Sequence, residues 1–334
     1  MTTRSGQGDR TIGVGSDMLD AVLLGDAMVG FSPKGSLRLE QATEVEVWPT
    51  GAEANTAVAL ARLRRRVGWI SKLPDHPLSR LIVGSVRRHG VDTSRMVWTP
   101  EGRVGTFFYE RAVPPRPARV WYDRQGSAFT TLEDAEVDWA YLTSARMVLV
   151  AGTAPALSRR LRELIVRIAR EVRGAGKLFV LDVNYRAKLW SAQEAATYLA
   201  ELLPSVSILF CGQRDAGRVF GLAGDPETVA LRLQEKHGIP TVVLTMGSQG
   251  SLAVADRVYR QRLLRGVEAV DPVGAGDAFA AGFLCGYLED GIQRGLDIGG
   301  AVGALACSMV GDVAYITRAE VEELLSSEDQ EIQR

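Results

Sequence analysis

The pattern of apolar and polar positions changes character along the chain. From residue 137 onward, short unbroken apolar runs alternate with stretches of helical spacing: RMVLVAG (146–152), KLFVLDVN (177–184), VSILFCG (206–212) and TVVLTMG (241–247) are separated by helical patterns at 157–176, 191–203, 214–220 and 226–237. Strands that are apolar on both faces, with amphipathic helices between them, specify a parallel sheet covered on both sides. DAVLLGD (20–26) is a further buried strand, with its C-terminal end at a ligand edge, and SLAVAD and RVYRQRLL follow the last parallel strand. Between them GAEANTAVALARLRRRV (51–67) has apolar residues at 54, 57, 58, 60, 61 and 63, a helical spacing, and the strand GWISKL, a helix over 77–89 and a strand at RMVW come next.

Three segments break this rule. SLRLEQATEVEVW (36–48) alternates with period two, as do GTFFYERAV (105–113) and ARVWYDRQG (118–126), which PPRP joins into a hairpin. Period two means one wet face, so these pieces form a small antiparallel lid from two insertions, about 34–49 and 104–127. Residues 1–19 begin with an aperiodic Gly/Ser/Thr-rich run and read as a disordered extension, leaving one folded domain over 20–334. The expected fold is α/β, a doubly wound, mostly parallel sheet with helices on both faces plus the lid.

Composition narrows the partners. With 46% apolar residues, 24% charged residues and a formal net charge of −1, the chain has no broad attraction for nucleic acid or an anionic membrane. No run of about 18 apolar residues suggests a membrane span. Three widely spaced cysteines, Cys211, Cys285 and Cys307, read as buried free thiols of a cytoplasmic protein, not as disulfides or a zinc site. A small neutral or anionic ligand is the expected partner.

DPVGAGDAFAAGF (271–283) is the candidate site. Gly274 and Gly276 allow unusual backbone geometry and close approach where a small-residue helix starts, and the free N–H groups there make an anion cradle. A carboxylate at Asp277 beside that cradle can take a proton from a hydroxyl attacking a phosphoryl group. Taken alone, the same residues also fit an Asp capping an ordinary helix after a Gly/Pro turn.

Together with GAEANTAVALARL upstream, the stretch resembles the two signatures of the PfkB/ribokinase family of carbohydrate kinases, in order and at fitting spacing from about residue 20 to 325. The resemblance implies a ribokinase-like fold, ATP and Mg2+, a sugar or sugar acid as substrate, and a homodimer or higher homo-oligomer. Within the family, AGTAPALS, LDVNYRAKLWS and EAVDPVGAGDAFAAGF look most like 2-keto-3-deoxygluconate kinases, while fructokinases share much of the second segment. It further implies that Asp277 is the catalytic base and that Gly274, Ala275 and Gly276 form the anion hole. Gly51, Asn55, Tyr122, Arg124 and Arg186 would meet the sugar, two arginines favouring an acid sugar. Thr50 stands where the first signature has its first glycine, and Phe107 or Phe108 where a second lid tyrosine is expected. For the nucleotide, the matching residues are Thr245, Gly247 and Gly250 in TMGSQG, then Gly274, Gly276, Gly311 and Asp312. GQRD (212–215) takes the place of an N-x-x-E element that influences magnesium; only Asp215 keeps a carboxylate, so the metal is expected chiefly on the nucleotide phosphates. Two other readings stand beside this one: a non-catalytic sugar or nucleotide sensor on the same scaffold, and a nicotinamide-dependent oxidoreductase, against which the first strand lacks a following GxGxxG.

Overall fold

The computed structural model describes residues 18–262, 264 and 269–326. Most of the expected N-terminal extension, the last eight residues and part of GVEAV (266–270) lie outside the described residues. Leu19 is already built into the domain, since its carbonyl accepts a hydrogen bond from Arg146 N–H at 3.0 Å.

In chain order the first half contains β1 (Ala21–Leu24), β2 (Met28–Pro33), β3 (Val45–Thr50), α1 (Ala52–Arg62), β4 (Val67–Ile70), β5 (Lys72–Pro74), α2 (Pro77–Arg87), β6 (Val97–Thr99), β7 (Gly105–Glu110), β8 (Arg119–Asp123) and α3 (Trp139–Ser144). The second half contains β9 (Met147–Ala151), α4 (Thr153–Leu157), α5 (Arg159–Gly174), β10 (Leu178–Asp182), α6 (Ala192–Leu202), β11 (Ile208–Gly212), α7 (Gln213–Phe220), α8 (Pro226–His237), β12 (Thr241–Thr245), β13 (Ser251–Val254), β14 (Val258–Arg260), α9 (Ala275–Cys307) and α10 (Arg318–Ser326). The main sheet has eight strands in the order β14-β13-β12-β11-β10-β9-β1-β4. Its strands from β4 to β12 are parallel, and β13 and β14 add an antiparallel edge.

Alternation along each strand divides the core in two. Leu23, Trp69, Leu149, Val180 and Phe210 point to the face covered by α1, α2, α9 and α10. Leu24, Ile70, Val150, Leu181 and Leu209 point to the face covered by α3 to α8. Both faces are dry, which is why these strands read as continuous apolar runs. After β1 the chain adds β4 on one side and later β9 on the other, so a crevice opens beyond the carboxyl ends of β1 and β9, where ligands of such sheets gather.

The lid is a second, four-stranded sheet in the order β3-β2-β7-β8. It consists of two antiparallel hairpins, β2 with β3 and β7 with β8, joined side by side through parallel pairing of β2 with β7. Two details differ from the sequence reading. The alternation over 36–48 is strand only from Val45, because Leu39–Gln41 is a 3-10 turn anchored by Leu39 N–H on Glu110 Oε1 at 2.9 Å. Its partner β2 lies in MVGFSP, where a glycine and a proline obscure the strand pattern. GWISKL is likewise two strands, β4 in the main sheet and β5 paired with β6 in a separate ribbon.

Helix α9 is broken at Asp290 and Gly291, the latter at φ 75°, so its two halves fold back on each other. They approach at glycines: a Cβ on Gly282 would lie 2.8 Å from Gly299 Cα, and one on Gly286 would lie 2.4 Å from Arg294 O. Small residues in this run therefore serve backbone-to-backbone packing against the second half, which lay unassigned in the sequence pattern.

Candidate active site

A cavity of about 470 Å3 lies under the lid, beyond the strand ends. β1 contributes Asp26; the start of α1 contributes Gly51 and Asn55; the end of β10 contributes Asp182, Asn184 and Arg186; β11 and β12 contribute Gly212 and Thr245. The loop into α9 brings Gly274, Gly276 and Asp277, and the 310s loop brings Gly311 and Asp312. The lid closes the space with Trp48, Phe107, Tyr109, Tyr122 and Arg124.

Gly274 enters α9 in the left-handed region at φ 78°, and a Cβ there would lie 2.1 Å from Asp312 O, so only glycine lets the two loops touch. Nothing lies within 4 Å of an added Cβ on Gly276, which faces open space. The Gly276 and Asp277 N–H groups belong to the first turn and have no helical acceptor. Asp277 is not a cap: the partner of its side chain is Asn55, whose Nδ2 donates to Asp277 Oδ2 at 3.0 Å and to Asp312 Oδ2 at 3.1 Å. Thr50 Oγ1 donates to the same Asp312 oxygen. Burial pushes the Asp277 carboxyl up to about 7, with Asp182 and Asp312 adding to the rise and Asn55 and Arg186 opposing it. A carboxylate so placed, beside unsatisfied amides, can hold a proton near neutral pH.

Around it stand the groups suited to an organic substrate. Gly51 packs so tightly that a Cβ would lie 2.5 Å from Asp26 O. Arg124 is buried and donates to Asp26 at 2.7 Å, with its guanidinium 6.0 Å from the Tyr122 ring centre, while its Nε has no partner among the described residues. Burial raises the Asp26 carboxyl even against Arg124. Arg186 is exposed to the cavity, donates to Tyr185 O at 3.3 Å, and has no ion-pair partner among the described residues. The phenol of GTFFYE that lines the cavity is Tyr109: it is buried on the same face as Phe107, whereas Phe108 points outward and stacks on Phe31.

On the far side, Thr245 lines the cavity, and Gly247 and Gly250, at φ 62° and 84°, shape the turn just beyond it without lining it. Ala275 also stays off the cavity wall. Gly311 N–H donates to Asp271 Oδ2 at 3.3 Å, which fixes the loop carrying Asp312. Asp215, in the first turn of α7, faces Asp182 and Arg186; burial raises its carboxyl, and burial sets that of Asp182 at about 6. Among the described residues no cluster of three His, Cys, Asp or Glu side chains is arranged to hold a metal ion.

Glu53 escaped the sequence reading. It is buried in the first turn of α1, its Oε1 accepts Ala151 N–H at 2.9 Å, and its Oε2 has no partner among the described residues. It fills the space that a Cβ on Gly25 would take, 2.0 Å away. A carboxyl among the small apolar residues of GAEANTAVALARL, a helix buried from Glu53 through Leu60, was the available signal. Burial pushes it up to about 8. A raised carboxyl favours folding fully below its unfolded value, near 4.5, and that contribution is lost as pH rises through about 8. The stability advantage of Glu53→Gln over the parent, read as the difference in Tm, should therefore grow between about pH 4.5 and 8; a constant difference would show that Glu53 is ionised throughout.

Comparison with known proteins agrees with this geometry. Residues 18–318 match the family model described as pfkB family carbohydrate kinase. The chain is 36% identical over 317 residues to a 2-dehydro-3-deoxygalactonokinase of Haloferax volcanii, covering 94% of this chain and 99% of that one. It is 30% identical over 319 residues to a 2-dehydro-3-deoxygluconokinase of Bacillus subtilis, covering 93% and 96%. The crystal structure of a 2-dehydro-3-deoxygluconokinase from Thermotoga maritima superposes with a TM-score of 0.88 at 27% identity, covering 93% of this chain and 99% of that one. The chain belongs to the pfkB family of carbohydrate kinases, phosphotransferases that act on a sugar hydroxyl.

Proposed function

We propose that the protein is an ATP-dependent kinase of a 2-keto-3-deoxy sugar acid, 2-keto-3-deoxygluconate or its galactonate epimer, acting on a primary hydroxyl. The observation that carries this reading is Arg186, a guanidinium with no ion-pair partner among the described residues, facing the same cavity as Asp277, with Arg124, bonded to Asp26, on the lid wall. Guanidinium forks suit a planar carboxylate, and a neutral ketose has none to offer. The names of the relatives point to the same substrate class. Asn55, Gly51 and Tyr122 would surround the sugar, and Thr245, Gly247, Gly250 and Gly311 the nucleotide.

In the proposed step the sugar oxygen attacks the terminal phosphorus of ATP as its proton passes to Asp277 Oδ. The O–P bond forms, the bond from phosphorus to the bridging oxygen breaks, and ADP leaves. The Gly276 and Asp277 amides receive charge growing on the transferred group, at the anion hole formed with Gly274 and Ala275. Magnesium, when bound, would neutralise phosphate charge, and Asp215 would act on it through water. Lid closure would exclude competing water.

An ADP-release assay over ketodeoxygluconate, ketodeoxygalactonate, fructose, ribose and a nucleoside should show turnover with the two acids above the rest, and Asp277→Asn should lower kcat by about 10²–10⁴-fold while ADP affinity stays unchanged. Preference for fructose would overturn the acid-sugar assignment, and undiminished turnover in the variant would remove the base. Because the base must be ionised, kcat/KM should fall about tenfold per pH unit below about 7 and level off above it. Asn55→Ala removes a bond that lowers the Asp277 value, so the acid limb should move to higher pH.

We also propose a cytoplasmic homodimer built through the outer lid face, where Val45, Val47, Phe108 and Trp121 are exposed. Sedimentation at micromolar concentration should give a dimer, and a monomer there would count against the contact.

A further inference from the structure

A second cavity, about 510 Å3, lies behind the lid strand β3, between it, α1, α2 and the 310s loop. It shares Trp48, Thr50, Asn55, Arg111, Gly311 and Asp312 with the active-site cavity but also has a wall of its own that includes Arg88, His89 and Tyr315. Its charges are uneven. The carboxylates lining it are already engaged, Glu46 by Arg111 at 2.8 Å and Asp312 by Thr50 and Asn55. On that wall Arg88 has no ion-pair partner among the described residues, nor has the neighbouring Arg62, which does not itself line the cavity.

Both of these arginines lean on one imidazole. Arg62 Nη1 lies 3.4 Å from His89 Nδ1, and Arg88 Nε lies 3.3 Å from His89 Nε2. A neutral imidazole has one lone-pair nitrogen and one N–H, so it can accept from one guanidinium only, and the other meets a donor. Protonating His89 makes the conflict worse, and its two arginine neighbours hold its value down together with burial. The Tyr315 ring packs against the group, 5.4 Å from His89 and 5.5 Å from Arg62, which keeps the three donors together. Tyr315 Oη already accepts from Arg88 Nη2 at 2.6 Å and Ile316 O from Arg62 Nε at 2.8 Å, so the deficit is confined to the imidazole, where one donor is left over, and an anion with several oxygens would supply its acceptor. Next to it, Leu81 and Val310 give the cavity an exposed apolar wall.

We propose that this cavity is a second, non-catalytic anion site that takes a small phosphomonoester, its phosphate held by Arg88 and His89, with Arg62 bearing on the far side of the imidazole, and its organic part against Leu81 and Val310. Three oxygens can meet the Arg88 fork and the imidazole N–H together with one acceptor to spare, which a single carboxylate cannot do. The inference goes beyond the kinase reading and does not depend on which sugar is phosphorylated.

Calorimetric titration of the full chain with phenyl phosphate, at ionic strength matched with sodium chloride, tests it without any turnover. A saturable site is expected, with inorganic phosphate binding at least about tenfold more weakly because it lacks the apolar part. Arg88→Ala, an exposed position, should weaken phenyl phosphate by about tenfold or more, Arg88→Lys should recover part of the loss, and His89→Gln should weaken it independently. Arg186→Ala, in the active-site cavity, should leave this component intact. Absence of saturable heat, equal affinity for the two probes, an unchanged Arg88→Ala, or loss of the component in Arg186→Ala would each overturn the proposal.

Discussion

The site depends on one amide. Asn55 Nδ2 sits between Asp277 and Asp312, donating to both carboxylates, and thereby ties the start of α1 to the start of α9 and to the 310s loop across more than 200 residues of sequence. Burial raises the pKa of both carboxyls, and repulsion from Asp312 adds to the rise at Asp277. A donor between them offsets part of that repulsion while leaving Asp277 basic enough to receive a proton. Thr50 reinforces the arrangement from the lid side by donating to Asp312, so the residue that departs from the family signature is joined to the same network.

The main sheet and its helices were legible because burial on both faces leaves a simple trace: unbroken apolar strands and one-sided helices. The lid was half legible. Strands β7 and β8 alternate cleanly, but β2 contains Gly30 and ends at Pro33, and its identity follows from its partners, not from its own residues. The second half of α9 was not legible, since its glycines satisfy a neighbouring helix in place of any local propensity.

At the site, Asp277, Asn55 and Arg186 could be placed from the chain because each sits at an element end in a distinctive motif. What sequence could not show was pairing. Arg124 reads as a lid arginine that meets the sugar and is bonded to Asp26, and Glu53, which the sequence pattern left unread, is a buried carboxyl bonded to the end of β9. Phe107 and Phe108 likewise read alike, and only the pleat tells that Tyr109, not Phe108, shares the inner face. These are long-range facts, fixed by which strand ends meet.

The roots of the lid converge. Gly51, at the foot of β3, is pressed against Asp26, which follows β1; Gly105, at the foot of β7, would bring a Cβ within 3.2 Å of Arg124 Cβ, which follows β8; and Arg124 is itself bonded to Asp26. All four tethers of the two hairpins therefore meet at one corner. A plate hung in that way is held against sliding sideways at a single corner, so the Arg124–Asp26 bond fastens both hairpins to the body at once.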